Sequence, residues 1–185
     1  KLDRPAATAV VRRSVIRLGR MLMEMLYLPK LTRENIGRLV AIKGREHFTA
    51  ALAYGRGAVL ATAHTGNWEL LGPALVLYGF PVVGVAQRQT NAAMDEIINE
   101  FRTTTGMHIT YKTGVREMVS LLGRGMIVGL IMDQDAKQQG IFAEFFGRPA
   151  STPQGPAALA RLKDAPIVPT FITANDNDTH TIIVH

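Results

Sequence analysis

Two stretches of the chain are apolar almost without interruption: Gly57-Ala-Val-Leu-Ala-Thr-Ala63 and Met126-Ile-Val-Gly-Leu-Ile-Met132. A strand with one wet face alternates apolar and polar residues, and these runs do not alternate. They are also too short to be buried helices, so each reads as a strand covered on both faces. A sheet containing such strands needs a layer of helices on either side. The rest of the chain supplies them. Strand-like segments at Leu39–Lys43, Pro81–Ala86, Met107–Tyr111 and Pro166–Thr173 alternate with helical segments at Glu46–Tyr54, Leu70–Leu77, Ala92–Thr104, Val115–Leu122 and Pro153–Lys163. That order predicts an α/β fold: a mixed, mostly parallel central sheet with helices on both faces. Residues Gly140–Gly147 read as a strand or partial hairpin, and Thr179–His185 as a strand cut before its neighbour.

The first buried run ends at a turn, Ala63-His-Thr-Gly-Asn-Trp-Glu-Leu70, before the next helix begins. A strand-to-helix turn is where α/β proteins commonly expose reactive groups. Inside one helix, five steps turn by about 500°, or ~140° net, and would point His64 and Glu69 apart. The two can meet only if His64 precedes the first turn, with Gly66 bending the backbone. A carboxylate beside an imidazole fixes its tautomer and stabilises the imidazolium, which makes a neutral-pH general base. Asn67 and the free amides of the new helix lie close enough to bind negative charge.

The motif His64-Thr-Gly-Asn-Trp-Glu69 resembles the His-x4-Asp/Glu signature of glycerolipid acyltransferases. In its Gly-Asn-Trp-Glu form it is similar to the bacterial lipid A biosynthesis acyltransferases and the related phosphatidylinositol mannoside acyltransferases. The resemblance continues through Gln87-Arg88, Gly140-Ile-Phe-Ala-Glu-Phe-Phe-Gly147, Thr152-Pro-Gln-Gly-Pro-Ala-Ala-Leu-Ala160 and Ala165-Pro-Ile-Val-Pro-Thr170, and so covers most of the chain from about Val40. It implies a glycerolipid-acyltransferase-like domain over residues 31–185, expected to be incomplete at its C-terminus. It also implies transfer of a fatty acyl chain from acyl carrier protein or coenzyme A to a hydroxyl of a lipid A precursor or similar glycolipid or phospholipid, with no cofactor. His64 is then the general base and Glu69 the group that orients it. No serine or cysteine nucleophile is needed, because the acceptor itself attacks.

Further residues follow these two. Arg88 comes after a strand on the same sheet edge, and its planar fork suits an oxyanion or a phosphate. Arg102, late in a helix, is the fallback. Asp133 and Asp135 end the second buried run and should reach the same crevice, to hold Arg88 or a sugar hydroxyl, unless they serve their own turn. Phe146 and Gly147 belong to an aromatic segment suited to an acyl channel or to plain core. Thr152 and Gly155 open a helix whose amide end can receive a phosphate. The Phe-Pro-Glu-Gly block of the glycerolipid branch is absent, which disfavours a simple glycerol-3-phosphate acceptor.

Residues 1–30 form a separate basic segment. Val11, Val15, Leu18, Leu22, Met25 and Leu26 recur at helical spacing between Pro5 and Leu28, with Arg12, Arg13, Arg17 and Arg20 alongside. This pattern suits a helix lying on an anionic membrane surface, and equally one packed on the domain with solvated arginines. The whole chain carries +6 at pH 7. Nucleic acid fits this charge poorly, since 6% aromatic residues and no groove-reading motif accompany it. There is no cysteine, and the five histidines lack zinc-ligand spacing, so no metal is expected. His108, in an apolar strand, reads as a core residue. No run reaches the ~18 to 20 apolar residues of a membrane span. The resemblance places the protein at the cytoplasmic face of a bacterial inner membrane, peripheral or held by an anchor outside this chain. The rival readings are a non-catalytic basic lipid-binding domain and an acyl-thioester hydrolase.

Overall fold

The computed structural model describes residues 2–185. Seven strands form the main sheet: β1 (Val40–Lys43), β2 (Ala58–Thr62), β3 (Val82–Ala86), β4 (His108–Tyr111), β5 (Ile127–Ile131), β8 (Ile167–Ala174) and β9 (His180–Val184). Their spatial order is β1-β9-β8-β2-β5-β3-β4. All neighbours are parallel except β8 and β9, so the sheet is mixed and mostly parallel. The two runs that resisted alternation, β2 and β5, lie side by side at its centre, with Thr62 level with Ile131. The helices are α1 (Arg4–Met25), α2 (Ile36–Leu39), α3 (Arg45–Ala53), α4 (Trp68–Leu77), α5 (Ala92–Thr103), α6 (Val115–Gly123) and α7 (Gly155–Lys163).

The two faces of the sheet carry separate cores, as alternating side-chain direction demands. Phe48 of α3 and Leu70, Leu71 and Leu75 of α4 pack on Leu60, Ile127, Ile172 and Ile182. On the other face, Met118, Leu121 and Leu122 of α6 and Leu159 of α7 pack on Val59, Val83 and Val128. Each such side chain, fully buried, contributes ~1.5–3 kcal/mol.

Several elements differ from the sequence reading. Helix α1 stops at Met25 rather than Leu28, because Leu28–Lys30 tightens into a 3-10 turn around Pro29. The last strand is not short of a neighbour: β9 pairs with β1 on one edge and β8 on the other. Residues 140–152 form a complete antiparallel hairpin, β6 (Ile141–Phe145) and β7 (Arg148–Thr152), apart from the main sheet. Its two turn residues have positive φ, Phe146 at 50° and Gly147 at 71°, the backbone that a two-residue hairpin turn needs. Because β7 runs to Thr152, α7 begins at Gly155, two residues later than expected. His108 is no core residue: it stands half-exposed at the start of β4, with Nε2 3.1 Å from Glu117.

Candidate active site

Register brings the central groups together. With Thr62 level with Ile131 in parallel strands, two further steps along each put His64 level with Asp133. The Asp133 carboxylate then meets His64 twice. Oδ2 accepts from the His64 backbone N–H at 2.9 Å, and Oδ1 lies 2.7 Å from the ring nitrogen Nδ1. Partial burial pushes the Asp133 carboxyl up, but the His64 backbone N–H, its ring and its charge outweigh that and hold it below the usual aspartate value. With Nδ1 held, Nε2 is the nitrogen left without a hydrogen-bond partner among the described residues. The ring is steadied from the side by Trp68, edge to face, with centroids 4.9 Å apart.

The turn between His64 and α4 depends on Gly66. Its φ is +54°, and a Cβ there would stand 2.2 Å from the Ile172 carbonyl oxygen of the neighbouring strand. Asn67 then caps the helix, its Oδ1 accepting from Leu70 N–H at 3.0 Å. The other end of the same amide donates to Glu24 Oε2 at 2.7 Å. Glu24 also accepts from Arg20, which reaches on to Asp178. His180 Nε2 lies 3.0 Å from Glu24 Oε2, close enough for an ion pair but at an angle outside that of a hydrogen bond. This cluster fastens α1 to the end of α4 that follows the histidine.

Glu69 does not touch His64 through a hydrogen bond. Helix α4 begins at Trp68, so Glu69 sits in its first turn and turns toward α5, where Arg102 takes it in a fork. Arg102 Nε donates to Oε2 at 2.8 Å and a terminal nitrogen to Oε1 at 2.7 Å. Both side chains are largely buried, 14% and 18% exposed, so little water competes for the pair.

His64 and Trp68 stand between two cavities. One, of about 410 Å³, is polar and cationic, with Arg88, Arg102 and Lys112 in its wall. The other, of about 590 Å³, lies between the turn and α1, with Ser14, Arg17 and Arg20 opposite His64. A base with one nitrogen anchored and the other free between two cavities is suited to taking a proton from a ligand in one as it attacks a ligand in the other.

The family model of the bacterial lipid A biosynthesis acyltransferases matches residues 4–185. The chain belongs to that family. Among individual relatives, a phosphatidylinositol mannoside acyltransferase of Mycobacterium tuberculosis is 33% identical over 159 residues, 82% of this chain and 50% of the relative. One from Mycolicibacterium smegmatis is 29% identical over 165 residues, 86% of this chain and 54% of the relative. A lipid A biosynthesis acyltransferase of Haemophilus influenzae is 26% identical over 133 residues, 69% of this chain and 41% of the relative. The chain thus spans about half the length of these relatives.

Within this member of the family, the remaining expected residues separate into two groups. Arg88 does line the polar cavity beside His64, with its guanidinium 4.3 Å over the Tyr111 ring. Gly66 and Asn67 line the other cavity, between His64 and α1, and Asn67 is 3% exposed with its amide oxygen on Leu70 N–H and its nitrogen on Glu24, so it braces the turn. The others lie elsewhere. Asp135 caps its own turn through Lys137 N–H at 2.8 Å and lines neither cavity at His64. Phe146 is 90% exposed at the hairpin tip with Gly147, which rules out the core role. Thr152, whose hydroxyl donates to Ala150 O, and Gly155 also line neither cavity. Sequence reasoning gave Asp133 no part in holding His64, ranked Arg102 below Arg88, and did not single out Glu24 or His180. The signal for Asp133 was present: both buried runs end in a polar residue that can bind the other.

Proposed function

We propose that this protein transfers a fatty acyl chain from a thioester of acyl carrier protein or coenzyme A to a hydroxyl of a glycolipid or phospholipid, with His64 as general base. The arrangement that carries this reading is the anchored Nδ1 and unpartnered Nε2 of His64 between two cavities. Nε2 takes the hydroxyl proton as the oxygen attacks the thioester carbonyl. A tetrahedral oxyanion forms, the C–S bond then breaks, and the leaving thiolate recovers the proton from the imidazolium. Asp133 balances the imidazolium charge. Arg88 and Lys112 give the polar cavity the positive charge that a phosphate-bearing carrier arm or the oxyanion requires. The names of the relatives support an acceptor of the lipid A or phosphatidylinositol mannoside kind.

The membrane surface is the proposed source of the acceptor. Val11, Val15, Leu18 and Leu22 of α1 are all about half or more exposed, with Arg12, Arg13 and Arg17 among them. No helix among the described residues is long and apolar enough to cross a membrane. An apolar stripe edged with arginines suits the interface of an anionic bilayer instead, here the cytoplasmic face of an inner membrane. Leu18 and Arg17 also wall the cavity beside His64, so a lipid headgroup met by α1 is already next to the base.

The test is acyl transfer from a lauroyl thioester to a glycolipid acceptor, followed by mass spectrometry, for the protein and for His64→Ala. The reading expects a loss of ~10² to 10⁴ in rate. Undiminished transfer without the imidazole contradicts it, and release of free fatty acid in place of acylated lipid favours a hydrolase.

A further inference from the structure

Two imidazoles line the cavity of about 590 Å³ between the turn and α1, each with a carboxylate against it. The first is His64 on Asp133. The second is His180 of β9, whose Nε2 lies 3.0 Å from Glu24 Oε2. Strand order places β9 two strands from β2, roughly 10 Å. Both rings border one ligand-sized space.

Core packing does not ask for a histidine at 180. Alternation puts His180 on the same face of β9 as Ile182 and Val184, all three buried, where an apolar β-branched residue would serve. Yet His180 stands there at 2% exposure, and neither of its ring nitrogens has a hydrogen-bond partner among the described residues. Buried polar side-chain atoms are nearly always paired, so orphaned nitrogens on a residue of the cavity wall point to a ligand.

The chemistry of that ligand follows from the groups around it. With Nε2 turned to Glu24, Nδ1 is the nitrogen of His180 that can take a hydroxyl proton into a hydrogen bond. On α1, Arg20 and Glu24 are held by each other and by Asp178 and Asn67. Ser14 and Arg17 are the other polar side chains that α1 turns to the cavity. A ligand that uses the whole wall gives one hydroxyl to His64 Nε2, a second to His180 and an anionic group to Arg17. A sugar or cyclitol ring next to a phosphate meets all three. A ligand with a single hydroxyl leaves His180 unpaired, and sites built to bind a hydroxyl discriminate strongly against analogues that lack it.

We propose that His180, backed by Glu24, selects a polyhydroxylated, phosphate-bearing headgroup as the acceptor. This inference rests on the acyl-transfer reading and adds to it a residue that fixes acceptor specificity. Glu24 is then a positioning residue, acting on the ligand only through His180.

The experiment compares two soluble lipids, dihexanoyl phosphatidylinositol and dihexanoyl phosphatidic acid, which share the phosphate and differ in the hydroxylated ring. Trp68, in the wall of the same cavity, reports binding of each by fluorescence. The wild type is expected to bind phosphatidylinositol ~10-fold more tightly, the worth of about one net hydrogen bond. His180→Phe should lose that preference with its affinity for phosphatidic acid unchanged, and His180→Gln, which keeps a hydrogen-bonding group, should retain part of it. Equal affinities in the wild type, or a preference that survives His180→Phe, overturns the assignment. Should His180→Phe not fold, the wild type labelled with ¹⁵N-histidine decides. Phosphatidylinositol must then shift the His180 ring nitrogens and phosphatidic acid must not; unmoved nitrogens overturn it equally. Acyl transfer without the preference removes the role of His180 alone. The preference without any acyl transfer removes the transfer reading and leaves a headgroup-binding site.

Discussion

Asp133 holds His64 from across the sheet: its two carboxylate oxygens take the ring Nδ1 at 2.7 Å and the backbone N–H at 2.9 Å. The histidine is thereby fixed in position and orientation by a residue 69 positions away, at the end of a neighbouring strand. Glu69, five residues away, is committed to Arg102. In this structure the family motif therefore places an anchored imidazole at one end and a helix-to-helix clamp at the other.

The clamp makes a prediction about stability. Removing one partner of a largely buried ion pair leaves the other uncompensated, at a cost of up to about 3 kcal/mol. Glu69→Ala and Arg102→Ala should each lower the midpoint of urea denaturation markedly. The double variant should cost less than the sum of the two, and His64→Ala should leave the midpoint near that of the wild type. Additive losses would show that the fork does not couple α4 to α5.

Gly66→Ala should damage the fold and the site together. A left-handed backbone costs an alanine ~1–2 kcal/mol, and the new Cβ would also meet the Ile172 carbonyl at 2.2 Å. A thermal melt should fall by several degrees, with transfer activity reduced even at temperatures where the variant is folded. A variant as stable and active as the wild type would mean that the turn is not built as described.

The attachment of α1 should weaken in acid. Partial burial pushes the Glu24 carboxyl up, but hydrogen bonds from Arg20 and Asn67 and the charge of His180 bring it below its ordinary value. A carboxyl depressed in the folded protein adds stability that is fully present above the unfolded value. That stability is lost as pH falls through the folded value. The loss therefore lies below the usual glutamate range, at the acid end. Trp68, the chain's single tryptophan, lines the cavity beside α1 and reports the event by fluorescence. Glu24→Gln should abolish the acid transition and loosen α1 at neutral pH; a transition that persists in Glu24→Gln would assign it elsewhere.

Membrane binding should follow the arginines and the stripe of α1 separately. Each of Arg12, Arg13 and Arg17 replaced by alanine is expected to weaken partition onto anionic vesicles by ~1 kcal/mol, an effect that fades with added salt. Val15→Glu should weaken it at all salt concentrations. Sedimentation with vesicles checks both, and equal binding to neutral vesicles would exclude the electrostatic part.

Much of this is legible in the sequence. The unbroken apolar runs of β2 and β5 marked the centre of the sheet, and Gly66 marked a turn that frees His64 from the helix. What a linear reading cannot supply is strand order. Nothing local to residues 57–70 says that β5 lies beside β2, and only that adjacency makes Asp133 the partner of His64 in place of the nearer Glu69. The same holds for Arg102, whose position late in α5 argued against it until α5 was seen to pass Glu69. The hairpin is legible at 140–147, but the core role of its aromatic residues fails for another reason. Phe146 is apolar enough for a core, yet it sits in a two-residue turn with positive φ and is almost wholly exposed, while Phe145 ends a strand exposed along its whole length.

The central claim is that Asp133 equips His64 to take a proton, and one comparison tests it most directly: acyl transfer by Asp133→Asn, measured beside the wild type after both are shown to be equally folded. An amide keeps the shape but removes the charge that balances the imidazolium. The account predicts a fall in kcat of ~10² or more, with donor KM little changed. Transfer by Asp133→Asn at the wild-type rate would contradict it.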